Sequence, residues 1–245
     1  MSKIVISQPM YFPWVGMFEQ VCLADTFVFL DDAQFARGFM NRVQYKTDGG
    51  SKWMTIPLKK HSQKTQINEV ELSDDNDWRA QHINKFSSSI ALAPYADDAI
   101  NLMSAVLGKH ELTFSDLVIE SMLAVMQYFE IENVARVLKS SDMNLSGKKG
   151  DLIKEIVTQL EGSHYITGMG GLNYLDHEGF EESGIAVKYM DYNLNSYPQV
   201  HGDFTPYVTI LDLIANCGKG GREYINSGTI SWRDALASIE GKQLL

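Results

Sequence analysis

Lys3 to Asp32 read KIVISQPMYFPWVGMFEQVCLADTFVFLDD, and this stretch decides the fold. A short apolar run, Lys3–Ser7, gives way to a loop with two prolines. Gly16–Ala24 then spaces its apolar residues as a short helix, and Thr26–Leu30 is a second apolar run. Strand, loop, helix and strand within about 30 residues is the length of one βαβ unit. The pattern returns further along, where Ala135–Lys139, Tyr165–Thr167 and Ala186–Tyr189 read as strands, with helices at Lys149–Glu161 and Leu172–Ser183 between them. The middle of the chain departs from it. Residues 42–58 read as a hairpin around the turn signal Asp48-Gly49-Gly50, and Ile67–Leu72 as a short strand. Helices are expected at Trp78–Leu92, Asp97–Leu107 and Ser115–Phe129, the last with Ser115-Asp116 as its cap signal. Tyr207–Asn216 reads as an apolar helix ended by Gly218, with a mixed tail behind it. The expected fold class is α/β: a Rossmann-like parallel sheet of about five strands with helices on both faces, plus a β-hairpin and an inserted helical subdomain over roughly residues 75–130. All of it is read as one domain, 1–245.

Composition narrows the function classes. The chain has 245 residues, 44% hydrophobic and 21% charged, which is globular and excludes a disordered protein. A formal charge of −10 argues against general nucleic-acid binding. No apolar stretch approaches the ~18 residues of a membrane span, and MSKIVISQ lacks the apolar core of a signal peptide. The expected location is therefore the cytoplasm, without membrane insertion. Cys22 and Cys217 form no metal pair, and the six histidines show no HxH or HExxH spacing, so no metal site is expected. The pattern names no cofactor.

Four clusters carry chemistry. In the loop after the first strand, Gln8, Tyr11 and Trp14 sit among Pro9, Phe12 and Pro13; stiff aromatic walls suit sugar rings or bases, although Phe12 and Trp14 equally suit a plug for the sheet. After the second strand, Asp31 and Asp32 are candidate catalytic residues, because adjacent carboxylates push one another's protonation apart and one can serve as a general base. The alternative is a solvated turn. Gln34, Asn41 and Arg42 follow, the last with a fork suited to phosphate. Phe35–Thr65 holds seven Lys or Arg against one acid, Asp48, a net +6 that suits a diphosphate or an acidic carrier protein. Lys148, in Ser146-Gly147-Lys148-Lys149-Gly150, offers phosphate-binding chemistry at a helix start without the spacing of a P-loop. Tyr197, Gln199 and Asp212 form the last cluster; an acid inside TILDLIAN must cap, face a cleft or pair, with Arg42 or a backbone amide as the expected partner.

These residues also resemble a known family. Gln8-Pro9-x-Tyr11-Phe12-Pro13-Trp14-x-Gly16, Ala24-Asp25, Asp31-Asp32, Gln34 and Asn41-Arg42 look like the opening signature of the WbqC-like family. Tyr197-x-Gln199, Phe204-x-Pro206 and Asp212-Leu213-x-x-Asn216-x-Gly218 are similar to its C-terminal signature, with Thr209 standing at a Ser-like position. The resemblance implies a bacterial protein of surface-polysaccharide (O-antigen, lipopolysaccharide) biosynthesis, an N-acyl or aminoacyl (glycine) transferase acting on an amino sugar. It supplies no catalytic residues, so the roles here rest on the chemistry above. The expected partners are a nucleotide sugar as small-molecule substrate and an acyl carrier protein. Two other readings stay open. The strand, Pro-x-x-Gly loop and helix are similar in layout to class I synthetase-like nucleotidyltransferases and pantothenate synthetase, which would make the chain an ATP-dependent adenylate-forming ligase, but their HxGH histidines are missing. The third reading is a non-catalytic partner that binds a sugar or a carrier protein.

Overall fold

The computed structural model describes residues 2–73 and 76–243. The first half runs β1 (Lys3–Ser7), α1 (Val15–Cys22), β2 (Thr26–Phe29), the hairpin strands β3 (Arg42–Thr47) and β4 (Gly50–Thr55), then α2 (Trp78–Ile90), α3 (Ala96–Leu107) and α4 (Phe114–Tyr128). The second half alternates: β5 (Arg136–Lys139), α5 (Gly150–Gln159), β6 (His164–Thr167), α6 (His177–Glu182), β7 (Ala186–Asp191), α7 (Ile210–Cys217), β8 (Gly228–Ser231) and α8 (Trp232–Gln243). Six strands form one sheet in the order β5-β2-β1-β6-β7-β8, and β3 and β4 pair separately. Neighbours pair in parallel from β5 through β7, while β8 runs antiparallel to β7. The molecule is therefore mixed α/β, with a mostly parallel sheet and an antiparallel hairpin.

Burial on two faces explains why β1 and β2 read as unbroken apolar runs. Val5, Phe27 and Phe29 join one core with α1, the hairpin, α2 to α4 and α7. Ile4, Ile6 and Val28 join a second core with α5, α6 and Ala235 of α8. Helices α2 to α4 thus pack into the same core as one face of the sheet. Among the described residues, no helix is long and apolar enough to cross a membrane.

Several local expectations are corrected. Ile67–Leu72 is not a strand; Ile67–Glu69 is a 3-10 turn, because the Glu69 carboxylate takes the Gln66 amide (3.0 Å) and the two form a capping box. The helix expected over Leu172–Ser183 breaks into a 3-10 segment, Met169–Asn173, and the short α6, whose start is set by Asp176 accepting from the Gly179 amide at 3.1 Å. The cap of α4 is Thr113, whose hydroxyl accepts from the Asp116 amide, rather than Ser115-Asp116. Tyr207 precedes α7 instead of opening it, since Thr209 is the cap. The tail holds a sixth strand and a helix. As an edge strand, β8 buries little, so its apolar signal is faint.

Candidate functional site: an aromatic and basic cleft beside the hairpin

The loop after β1 is fixed from all sides. The Tyr11 amide donates to Met40 O (3.1 Å) and the Phe12 amide to Ser121 Oγ (3.0 Å). Phe12 O accepts from the Thr209 hydroxyl (2.9 Å) and Pro13 O from the Ile210 amide (2.9 Å). These bonds hold Phe12 at φ 39°, in the left-handed region, with its side chain buried. Trp14 is turned over Gly16: a Cβ on residue 16 would lie 2.2 Å from Trp14 Cη2, so the glycine is what makes room for the indole. The indole ring meets Tyr192 and Tyr207 at centroid distances of 5.1 and 5.6 Å.

Against Trp14 and Tyr207 opens a cavity of about 400 Å³. Met10, Pro13, Trp14, Phe39, Val43 and Tyr207 give it apolar and aromatic walls, Gln44 and Thr205 supply polar atoms, and Arg42 stands at its border. Phe39 and Tyr207 are 64% and 59% exposed, which is costly for large rings unless something covers them. A second cavity of about 560 Å³ adjoins through Arg42 and is lined by Arg37, Asn41, Lys59, Lys60 and His61. The Arg42 guanidinium sits 4.4 Å above the Trp53 ring, which orients it by cation–π attraction without neutralising it.

A buried polar cluster pins the cleft wall. Lys46, on β3, donates to Gln199 Oε1 (2.8 Å) and to the carbonyls of Gly202 and Asp203. Gln199 in turn exchanges bonds with Thr205, donating to its carbonyl (2.9 Å) and accepting from its amide (3.0 Å). Asp212 lies beside this cluster, and burial pushes its carboxyl up to about 6 against the lowering effects of the Tyr197 hydroxyl and Lys46. Of the two partners expected for Asp212, Arg42 or a backbone amide, Arg42 is not among the groups that act on it; Lys46 and His201 are. Asp212 Oδ2 and the Tyr197 hydroxyl are buried within electrostatic reach of each other and close no hydrogen bond of normal geometry.

The other sequence-predicted residues are scattered. Tyr11 is fully buried, its hydroxyl 3.0 Å from His82 Nδ1, so it ties the loop to α2 rather than lining either cavity. Burial raises the Tyr11 hydroxyl far above its usual range and pushes His82 down to about 4, which keeps both neutral. Asp31 is 2% exposed and accepts from the Ser141 amide (3.0 Å), the Ser141 hydroxyl (2.7 Å) and the Ser140 hydroxyl (3.3 Å). Asp32 Oδ1 shares the Ser140 hydroxyl. The pair staples the end of β2 to the turn after β5. Gln34 is exposed and donates to Gln63 O (2.7 Å), while Asn41, which lines the basic cavity, also donates to Ile56 O (3.2 Å). Gln8 is half-buried at the end of β1, and its carbonyl accepts from Ser7. Lys148 is exposed in a loop whose neighbouring amides, Ser146 and Gly147, are already given to Glu155, whose carboxyl they hold below the usual range. Of the predicted set, Trp14, Asn41 and Arg42 meet at the two cavities, and Gln199 holds their wall. Phe39, Trp53 and Tyr207 were missed; for Phe39 and Trp53 the available signal was an aromatic residue inside a strongly basic, turn-rich segment, and for Tyr207 its place directly after Phe204-Thr205-Pro206.

The chain belongs to the WbqC-like protein family, whose model matches residues 8–224. It is also similar to a protein of Mycobacterium tuberculosis (strain ATCC 25618 / H37Rv) described as uncharacterized protein Rv1507c, with 28% identity over 228 residues, 92% of this chain and 98% of that protein. No solved structure matches.

Proposed function

We propose that the cleft binds a nucleotide-linked amino sugar and that the protein transfers an acyl or aminoacyl group to the sugar amine, in the assembly of bacterial surface polysaccharide. The observation that carries the binding half is the aromatic cavity with Arg42 at its border: rings for a planar or pyranose face, a fixed cation for the phosphate next to it. The sheet is read as Rossmann-like, supported by its parallel order with β1 and β6 central. In the transfer step the neutral amine attacks the acyl carbonyl, an N–C bond forms, the bond to the leaving group breaks, and the amine proton passes to a base. Asp31 and Asp32 are the proposed carboxylates, with Asp32, the less buried of the two, as the base and Asp31 holding the turn beside it.

One observation favours a second reading, binding without turnover: neither aspartate lines either cavity. Incubation of the purified protein with UDP-linked amino sugars and activated glycine or acyl donors, followed by mass spectrometry, separates the two. An acylated product that disappears in Asp31→Asn or Asp32→Asn supports the transferase with these bases. Product unchanged in both variants overturns the base assignment, and tight binding with no product supports the binding partner.

A further inference from the structure

We infer that the cavity behind Arg42 is a phosphate site built for two linked phosphates. It is lined by Arg37, Arg42, Lys59, Lys60 and His61, and among the described residues no carboxylate lines it. Lys59 is paired with Glu71 at 2.7 Å, whereas Arg37, Arg42 and Lys60 have no ion pair among the described residues. Three uncompensated cations around one concavity repel each other in a chain whose net charge is −10, so the arrangement gains most from a multivalent anion. A carboxylate would leave charge over; two phosphates match it more closely. The volume of about 560 Å³ is in the range of small-molecule sites. Asn41, buried beside the cations, offers an amide to the same space. Arg42 borders both cavities, so a ring in the aromatic one and a diphosphate in the basic one form a single ligand, a nucleoside diphosphate group. Only that order of parts rests on the reading of the aromatic cavity given above; the phosphate site stands on its own charges.

Calorimetry on the full chain at low salt tests it, with inorganic pyrophosphate, uridine and UDP as separate probes. Pyrophosphate is expected to bind, and to lose about tenfold or more in affinity in the double variant Arg37→Ala/Lys60→Ala, since each charged hydrogen bond is worth about that much. Both residues are exposed, so the fold is expected to survive, with a thermal melt as the check. Arg136→Ala, an exposed residue on β5, leaves pyrophosphate binding unchanged. Trp14→Ala weakens UDP and leaves pyrophosphate alone. No pyrophosphate binding, or binding indifferent to Arg37 and Lys60, overturns the phosphate site whatever uridine does. Pyrophosphate binding that depends on them, with no gain from the uridine ring, upholds the phosphate site and sinks the ring reading of the aromatic cavity.

Discussion

The carboxylates at the end of β2 and the cations around Arg42 are both polar clusters near strand ends, and they have opposite fates. Asp31 is buried and accepts three bonds from Ser140 and Ser141, so its acceptor capacity is spent on holding the sheet edge. Arg37 and Lys60 lie exposed in a cavity, without ion-pair partners among the described residues. A buried charge has to be satisfied from within, because desolvation is expensive, while an exposed charge can wait for a ligand. What distinguishes the regions is how much interaction capacity each leaves unused.

Breaking the staple gives the largest expected effect. Asp31→Ala removes the acceptor of the Ser141 amide and hydroxyl and leaves the buried Ser140 hydroxyl to Asp32 alone, and is expected to cost about 2 kcal/mol in urea unfolding. A loss under about 1 kcal/mol would mean the carboxylate is not committed to structure and is free for chemistry.

Next comes the cleft. Trp14→Ala is expected to cost roughly 30-fold in affinity for a ring-bearing ligand such as UDP, about 2 kcal/mol, the usual worth of one base stacked on an aromatic side chain. Gly16→Ala is expected to do nearly the same without touching the ring, since the new Cβ would sit 2.2 Å from Cη2 and drive the indole aside. Unchanged UDP binding in both would remove the aromatic cavity from the site.

Glu19 sharpens the comparison as a buried carboxylate with no staple. It lies on α1, fully buried, and neither Oε atom closes a hydrogen bond of normal geometry, though Ser227 and the Asn193 backbone lie close. Burial pushes its carboxyl up from the ordinary 4.5 to about 7, partly opposed by those neighbours. The folded protein therefore holds this proton over a range in which the unfolded chain has lost it. Its contribution to stability is full below pH 4.5 and is lost as pH rises through 7. Glu19→Gln is expected to flatten that fall and to gain on the order of 1–2 kcal/mol at pH 8. An equal pH slope in wild type and variant would show that Glu19 is ionised in the fold.

The smallest effect belongs to Lys148→Ala. The side chain is exposed and the adjacent amides are held by Glu155, so stability is expected to change by less than about 0.5 kcal/mol and pyrophosphate affinity not at all. A loss matching that of Arg42→Ala would move the phosphate site back to the sheet edge.

Much of the fold was legible because its signals are local. The runs at Lys3–Ser7 and Thr26–Leu30 had to be strands buried on both faces, and Asp48-Gly49-Gly50 had to turn. Errors arose where short-range hydrogen bonds overrode apolar pattern, as in the capping box of Gln66 and Glu69, or where a strand has little to bury, as in β8. Within the site, Trp14, Asn41 and Arg42 were legible as residue types suited to rings and phosphates. Tyr11 looked the same in sequence, yet its hydroxyl belongs to His82 in the core.

By itself the sequence determined the class of the molecule and the family to which it belongs, because hydrophobic period, turn chemistry and a long odd motif are properties of neighbours along the chain. Only the tertiary structure decided which polar groups are spent and which are available. Ser141 reaches Asp31 across 110 positions, Gln199 reaches Lys46 across 153, and Arg42 is left at the meeting of two cavities. Satisfaction of a polar group depends on what folding brings against it, and that is a matter of distance in space.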